Sequence, residues 1–516
     1  MGPAAPRGAM LQDVDASTDL PDQRLPNRLD RVLVTTGGHG SAGPILPGQK
    51  PGDRRVRVGR EKPREYQVAP PKRVRRPPSP AFVLVRGFAL LIAVGTLLLM
   101  LPFAASDGQA TPLIDALFTA TSAVCVTGLV VVDTGSHWTA FGQVVILVLI
   151  QLGGLGFMTA STLLLFVLVG RRTGLRDRML VQASIGTPDL ASATAVLVRV
   201  AVFTAVVELA GFAVLSLAFL GSGQDLPTSL WWGLFHAISA FNNAGLDIMG
   251  DFRSLTGFSS DWLVLGTVAG LLILGGLGFA IVGDVAYKRR WTRLALETKV
   301  VVLATVVLLL GGTLVIGLLE WSNPATLGQL PPLDRILNAF FTSATARTAG
   351  FNSIDTAGLV QSSLALLIAL MFIGAASGST AGGIKVNTFS VLLIAIWSAI
   401  RGDAMATAFG RRVPHEIVYR ANAVALLSGL LVFAMTVGLS LTSGFKILDL
   451  AFEATSAFGT VGLSTGITPD LPDAAELLVA LTMFAGRLGP LTLVLALAAR
   501  ARPLPYQPAT EALRIG

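Results

Sequence analysis

Four segments of this 516-residue sequence end on glycine in one shared register. They read Leu117-Phe-Thr-Ala-Thr-Ser-Ala-Val-Cys-Val-Thr-Gly128, Leu234-Phe-His-Ala-Ile-Ser-Ala-Phe-Asn-Asn-Ala-Gly245, Ala339-Phe-Phe-Thr-Ser-Ala-Thr-Ala-Arg-Thr-Ala-Gly350 and Ala451-Phe-Glu-Ala-Thr-Ser-Ala-Phe-Gly-Thr-Val-Gly462. Each has phenylalanine ten positions before its last glycine (Phe118, Phe235, Phe340, Phe452), and three have serine six positions before it (Ser122, Ser239, Ser456). The terminal glycines lie 117, 105 and 112 residues apart. What these segments share is backbone chemistry. Glycine adopts, at little steric cost, the angles that turn successive carbonyls one way. Rings of such carbonyls can replace the hydration shell of a monovalent cation such as potassium without a fixed charge that would trap it. A short helix aiming its C-terminus at the same point adds a favourable partial negative charge.

Such segments need scaffolding, and the rest of the chain supplies it as apolar runs. Hydrophobic residues make up 52% of the chain and charged residues 14%, against roughly 25% charged in a soluble domain. Runs fall near 82–103, 140–169, 194–220, 262–286, 299–319, 359–399, 417–441 and 475–499, and about 20 apolar residues suffice to cross a hydrocarbon core. Basic clusters follow the even-numbered runs: Arg171, Arg172, Arg176 and Arg178; Lys288, Arg289, Arg290 and Arg293; Arg401, Arg411 and Arg412; Arg500 and Arg502. Asp107, Asp133, Asp225, Asp251, Asp261 and Glu320 fall on the other side. The positive-inside rule then predicts eight transmembrane spans with both termini cytoplasmic, in the cell (plasma) membrane.

Each glycine-ended segment lies between two runs and is too short to span. The expected fold is an all-α membrane protein of four pseudo-repeats, each a span, a re-entrant pore helix, a filter loop and a second span, around one central pore. Non-helical backbone at membrane depth is tolerated only when buried in protein or lining a watery cavity, and four units around one axis meet that condition. The expected divisions are a basic disordered cytoplasmic tail over 1–80, repeats over 81–170, 190–287, 297–400 and 415–502, and a cytoplasmic C-terminus over 503–516. Residues 1 to 80 hold 15 Lys/Arg and 8 Asp/Glu and are rich in Pro and Gly, a composition that buries no core. They lack the apolar stretch of a cleaved signal, and their basic end already has a topological reading, so no nucleic-acid partner is expected.

Several other residues call for a reading. Phe372-Ile-Gly-Ala-Ala-Ser-Gly-Ser-Thr-Ala-Gly-Gly-Ile-Lys385 places four Gly, two Ser and one Thr inside the sixth run. Small residues there serve close helix packing or an unwound loop beneath the filter. It is no nucleotide P-loop, since Ile384 separates Gly383 from Lys385 and Val386 follows. Arg487, in Phe484-Ala-Gly-Arg-Leu-Gly-Pro490, takes the place held by Gly154 and Gly276 in Gly153-Gly-Leu-Gly156 and Gly275-Gly-Leu-Gly278. An intramembrane charge is a functional candidate by default, here as a tether to loop carbonyls and an electrostatic barrier to cations. Arg347 is expected to point away from the axis, Glu208 to be paired between helices and Glu453 to anchor the fourth pore helix or sit at the outer mouth. His39, His137, His236 and His415 show no metal-ligand spacing, and the lone Cys125 permits no internal disulfide. No paired catalytic carboxylates or zinc motif suggest an enzyme.

Gly459-Thr-Val-Gly462 is the stretch nearest the Thr-Val-Gly of potassium-channel filters. With the four registers above, residues 82 to 500 resemble the membrane subunit of the Ktr/Trk/HKT potassium transporter superfamily, specifically the Ktr type, because a single span precedes the first pore loop. The resemblance implies potassium-binding filter positions at Cys125, Val126, Thr127 and Gly128; Asn242, Asn243, Ala244 and Gly245; Arg347, Thr348, Ala349 and Gly350; and Gly459, Thr460, Val461 and Gly462. It implies an intramembrane gate over 374–383 (Gly374, Ala375, Ala376, Ser377, Gly378, Ser379, Thr380, Ala381, Gly382 and Gly383), with Lys385 and Arg487 beside it. It further implies potassium as the transported ion, sodium as a candidate activator, a homodimer in the lipid bilayer, and gating by an octameric ring of cytosolic nucleotide-binding regulatory subunits, with nucleotide acting only through that partner. A sodium-permeable or poorly selective cation channel of the same fold is the alternative. All four glycines are present, which favours potassium.

Overall fold

The computed structural model describes residues 80–156 and 193–499. The tail before residue 80, the arginine cluster at 171–178, the end of the first unit past residue 156 and the C-terminal segment over 503–516 lie outside the described residues.

Among the described residues the chain is helical apart from one two-stranded hairpin, β1 (Thr407–Ala408) and β2 (Arg411–Arg412). The helices are α1 (Pro80–Leu99), α2 (Leu113–Cys125), α3 (Ala140–Leu155), α4 (Ala193–Gly221), α5 (Leu226–Phe241), α6 (Trp262–Lys288) and α7 (Leu296–Glu320). They continue as α8 (Pro332–Thr345), α9 (Gln361–Phe372), α10 (Val386–Ile400), α11 (His415–Thr442), α12 (Ile447–Gly459) and α13 (Asp473–Ala499). Local signals account for several boundaries. The Asp261 carboxylate accepts from the Leu263 and Val264 N–H groups at 2.9 and 3.0 Å and so caps α6. Asp225 caps α5 from the Thr228 N–H, with Pro227 in the first turn.

Val198–Gly221, Trp262–Lys288, Leu296–Glu320 and His415–Thr442 are long and apolar enough to cross a membrane, and Val85–Leu99, Ala140–Leu155, Gln361–Phe372 and Val386–Ile400 are shorter apolar helices. The sixth apolar run is thus two helices, α9 and α10, and the helix break falls in the small-residue segment between Phe372 and Val386. The exposed residues of α7 include Leu303, Val306, Val307, Leu310, Leu314 and Leu318, a stripe at helical spacing that suits lipid rather than water. Polar side chains are drawn inside instead: Ser122, Ser239, Asn242, Thr348, Ser456 and Thr460 are buried.

The short helices α2, α5, α8 and α12 pack against longer helices of their own units, and each also meets a helix from the unit before. α3 packs on α5, α6 on α8, α9 on α12, and α13 returns to α2. Nearest-neighbour packing therefore runs around a closed circuit.

Candidate ion pathway

The four terminal glycines occupy the centre of that circuit, and sterics demand that they be glycine. All have left-handed backbone, with φ of 96° at Gly128, 70° at Gly245, 81° at Gly350 and 95° at Gly462. A Cβ on Gly128 would fall on the Ala244 carbonyl oxygen, on Gly245 on that of Ala349, on Gly350 on that of Val461, and on Gly462 on that of Thr127. Each carbonyl belongs to the next unit in order, and the fourth closes on the first. Two residues before each glycine the chain is left-handed again, at Val126, Asn243, Thr348 and Thr460. Three of these are β-branched, and such residues hold this conformation only where their surroundings impose it.

Those surroundings come from the preceding helix. The Ser122 hydroxyl accepts from the Gly128 N–H at 3.0 Å and the Ser122 carbonyl from the Thr127 N–H at 2.8 Å. Ser456 does the same for Gly462 at 3.1 Å and Val461 at 2.8 Å. In the second unit the Ser239 carbonyl accepts from the Ala244 N–H at 2.8 Å, but its hydroxyl donates to the Leu246 carbonyl at 2.6 Å. The third unit has Ala344 at this place, and the Thr345 carbonyl accepts from the Ala349 N–H at 2.9 Å. The shared serine thus clamps the extended stretch to its helix. The hydroxyls of Thr127, Thr348 and Thr460 are buried with no protein partner among the described residues. Carbonyls from all four units around one point are of the kind that can replace a cation's hydration shell.

A cavity of ≈ 270 Å³ opens on one side of this ring and is lined by all four glycines together with Asp133, Asp247 and Asp355. Burial pushes the Asp247 carboxyl up to about 6; the Met249 N–H opposes the shift and the Asp133 charge adds to it. Asp133 also ties units together, accepting from the Phe252 N–H at 2.6 Å. Glu453, expected as an anchor or an outer-mouth group, is fully buried in α12 and accepts hydrogen bonds from the Ser464 and Thr468 hydroxyls, both residues of the cavity wall.

On the other side lies the segment between α9 and α10. The Gly374 N–H donates to the Ile384 carbonyl at 2.8 Å and the Val386 N–H to that of Ala375 at 3.0 Å, drawing the segment into a loop. It docks on α6, where the Ala376 N–H donates to the Gly276 carbonyl at 3.0 Å. It also reaches two of the glycine-ended stretches. The Thr380 hydroxyl donates to Asn243 Oδ1 at 2.9 Å, and a Cβ on Gly382 would fall on the Thr460 hydroxyl. Lys385 caps the loop by donating to the Ala381 carbonyl.

Arg487 donates to the Thr380 carbonyl with Nη1 and to the Gly153 carbonyl at 2.8 Å with Nη2. It therefore joins the loop to the C-terminal end of α3. The neighbouring glycine motifs also acquire a reason. A Cβ on Gly153, Gly275 or Gly486 would fall on the carbonyl oxygen of Val124, Phe241 or Phe458, the residue four positions before each unit's terminal glycine. α6 is kinked at Gly278 (φ 76°, ψ 153°), and α3 ends with similar angles at Gly156. Arg347 is buried, and its Nη1 reaches the Thr305 carbonyl on α7 at 3.4 Å, so its charge is carried toward the outer helix of its own unit. Cys125 is buried, within the hydrophobic core. Glu208 is bonded to the amides of Gln151 on α3 and Asn242 at the end of α5. Gln151 escaped the sequence reading, although one amide inside Leu149-Ile-Gln-Leu152 was a legible signal.

Residues 77–503 match the TrkH family, described as a cation transport protein. The chain belongs to the TrkH cation transport family. It is a multi-pass membrane protein whose family transports cations and does not act as an enzyme. It is 41% identical over 420 residues to the Ktr system potassium uptake protein B of Bacillus subtilis, covering 81% of this chain and 93% of that protein. A protein of the same name from Vibrio alginolyticus is 41% identical over 430 residues, covering 83% and 92%. The potassium/sodium uptake protein NtpJ of Enterococcus hirae is 37% identical over 436 residues, covering 83% and 95%. The crystal structure of the potassium transporter TrkH from Vibrio parahaemolyticus superposes with a TM-score of 0.63 at 21% identity, covering 83% of this chain and 86% of that one. That likeness speaks for the fold.

Proposed function

We propose that this chain is a Ktr-type subunit that takes up potassium through one central pore, with the four glycine-ended stretches as its selectivity filter. The observation that carries the reading is the closed sequence of close approaches Gly128 to Ala244, Gly245 to Ala349, Gly350 to Val461 and Gly462 to Thr127. It brings four distant segments together around one point, an arrangement in which carbonyl oxygens can replace water about a cation of potassium's size. The relatives' names add potassium uptake and membership of a Ktr system.

In this reading the chain has eight spans with both termini cytoplasmic, and the acidic cavity lined by Asp133, Asp247 and Asp355 is the outer vestibule. The loop over 374–383 is the gate, latched by Arg487 and Lys385. The chain works as a homodimer in the cell membrane, opened by an octameric ring of nucleotide-binding regulatory subunits on the cytoplasmic side, with sodium as an activator. Sodium permeation is the second reading, favoured by the name of the Enterococcus hirae relative. The four intact glycines favour potassium.

The test is ion flux into proteoliposomes with potassium, rubidium and sodium, with and without a sodium gradient. Saturable potassium and rubidium uptake that exceeds sodium uptake is expected. Equal sodium and potassium rates would replace the potassium reading by the sodium-permeable one, and absence of any cation flux would overturn the pore.

A further inference from the structure

Glu208 lies in α4, whose exposed residues include Val202, Val206, Leu209 and Leu217. A carboxylate in such a helix is costly in a bilayer, and its partner identifies what it does. It is only 9% exposed. Its Oε1 accepts from Asn242 Nδ2 at 3.0 Å and its Oε2 from Gln151 Nε2 at 3.1 Å. Asn242 Nδ2 also donates to Gln151 Oε1 at 2.8 Å, which closes a three-membered circuit. Asn242 is the first residue of the candidate filter stretch 242–245 and the C-cap of α5.

The orientation of each amide follows from one fixed point. Asn242 Nδ2 is 2.9 Å from the Ile238 carbonyl, which can only accept, so the amide nitrogen faces that way. Gln151 must then turn its oxygen to Asn242 and its nitrogen to Glu208. Both Glu208 oxygens therefore face amide nitrogens, with the two hydrogens of Asn242 Nδ2 shared among three acceptors: the Ile238 carbonyl, Gln151 Oε1 and Glu208 Oε1. Gly154 completes the pocket: a Cβ there would fall on Asn242 Oδ1.

We propose that Glu208 is a positioning residue that sets ion affinity in the second filter stretch, by holding Asn242 through hydrogen bonds. The inference rests on the filter reading of residues 242–245. No other stretch has this support among the described residues. The positions matching Asn242 are Cys125, Arg347 and Gly459, and the Arg347 side chain brings a positive charge instead.

The deciding experiment is the saturation curve for rubidium uptake in proteoliposomes, with thermal unfolding of the same preparations. Glu208→Gln keeps the shape and sets an amide nitrogen against that of Asn242 or Gln151. It should raise the half-saturating rubidium concentration about five- to tenfold, the scale of one lost hydrogen bond, while the maximal rate stays near that of the wild type. Gly154→Ala, which displaces Asn242 and leaves the carboxylate in place, should shift half-saturation in the same direction. An unchanged half-saturation for Glu208→Gln overturns the proposal. So does a fall in maximal rate that tracks a fall in unfolding temperature at constant half-saturation, because that is a helix tether and nothing more. Wild-type protein without rubidium flux would overturn the filter reading itself.

Discussion

The Thr380 hydroxyl donates to Asn243 Oδ1 at 2.9 Å, so the loop between α9 and α10 and the second glycine-ended stretch share one hydrogen bond. The amide is oriented by Asn243 Nδ2, which donates to the Leu272 carbonyl at 3.2 Å. Thr380 is held again at its backbone, where its carbonyl accepts from Arg487. Moving the loop must break the bond to Asn243. Thr380→Val should therefore raise rubidium flux several-fold without a regulatory partner, since one buried hydrogen bond contributes about 1 kcal/mol, a factor of roughly five in a closed-to-open ratio. Thr380→Ser should keep wild-type flux. Equal fluxes for the two variants would show that the hydroxyl does not latch the loop.

Arg487 reaches from α13 to the Thr380 and Gly153 carbonyls. Arg487→Lys retains the charge and loses the two-ended reach. It should give flux between that of the wild type and that of Arg487→Ala, with Arg487→Ala the highest. Radiotracer uptake in matched proteoliposomes measures the order, and a fall in flux for Arg487→Ala would speak against a latch.

Gly245 and Gly350 combine left-handed backbone with a facing carbonyl from the next unit. Gly245→Val or Gly350→Val should abolish growth rescue of a potassium-uptake-deficient cell at low external potassium, by at least about tenfold in uptake, because neither the backbone angle nor the space admits a β-branched side chain. Gly108 also has positive φ, yet nothing lies within 4 Å of its added Cβ. Gly108→Ala should rescue growth, which separates ring geometry from backbone strain alone.

Ser456→Ala removes the hydroxyl that accepts from the Gly462 N–H at 3.1 Å. Leaving that buried N–H unsatisfied should cost about 1–3 kcal/mol and lower the unfolding temperature. Ser456→Thr retains an acceptor. Ion-dependent thermal shift distinguishes the outcome: stabilisation by potassium should weaken in Ser456→Ala if the serine positions the stretch, and should persist unchanged if it does not.

Asp247 gains a proton as pH falls through about 6, because burial has raised its carboxyl. The group is charged above that pH and neutral below it, so the cavity lined by Asp133, Asp247 and Asp355 becomes less negative as the solution it opens to is acidified. Rubidium uptake at low ionic strength should therefore fall between pH 7 and pH 5, about the span of one carboxyl titration. Asp247→Asn should start lower at pH 7 and show a flatter profile. An Asp247→Asn profile that matches the wild type would assign the pH dependence to another group.

The register of the four stretches was legible because it is written locally. Ser122 and Ser456 act on backbone only five or six residues away, so a fixed serine-to-glycine spacing records the contact. Apolar run length and the placement of arginines likewise needed no tertiary knowledge, and the break in the sixth run showed in its density of small residues. The tertiary structure alone decided which segments meet. Closure from Gly462 to Thr127 joins residues 335 positions apart along the chain, Thr380 finds Asn243 across 137 residues, and Glu208 finds Asn242 across 34 and Gln151 across 57. No periodicity encodes such pairs, because each depends on where helix packing brings a side chain. The chain by itself therefore determined the backbone that each unit brings, and packing decided that Glu208 and the loop both meet the second stretch and that the loop also meets the fourth.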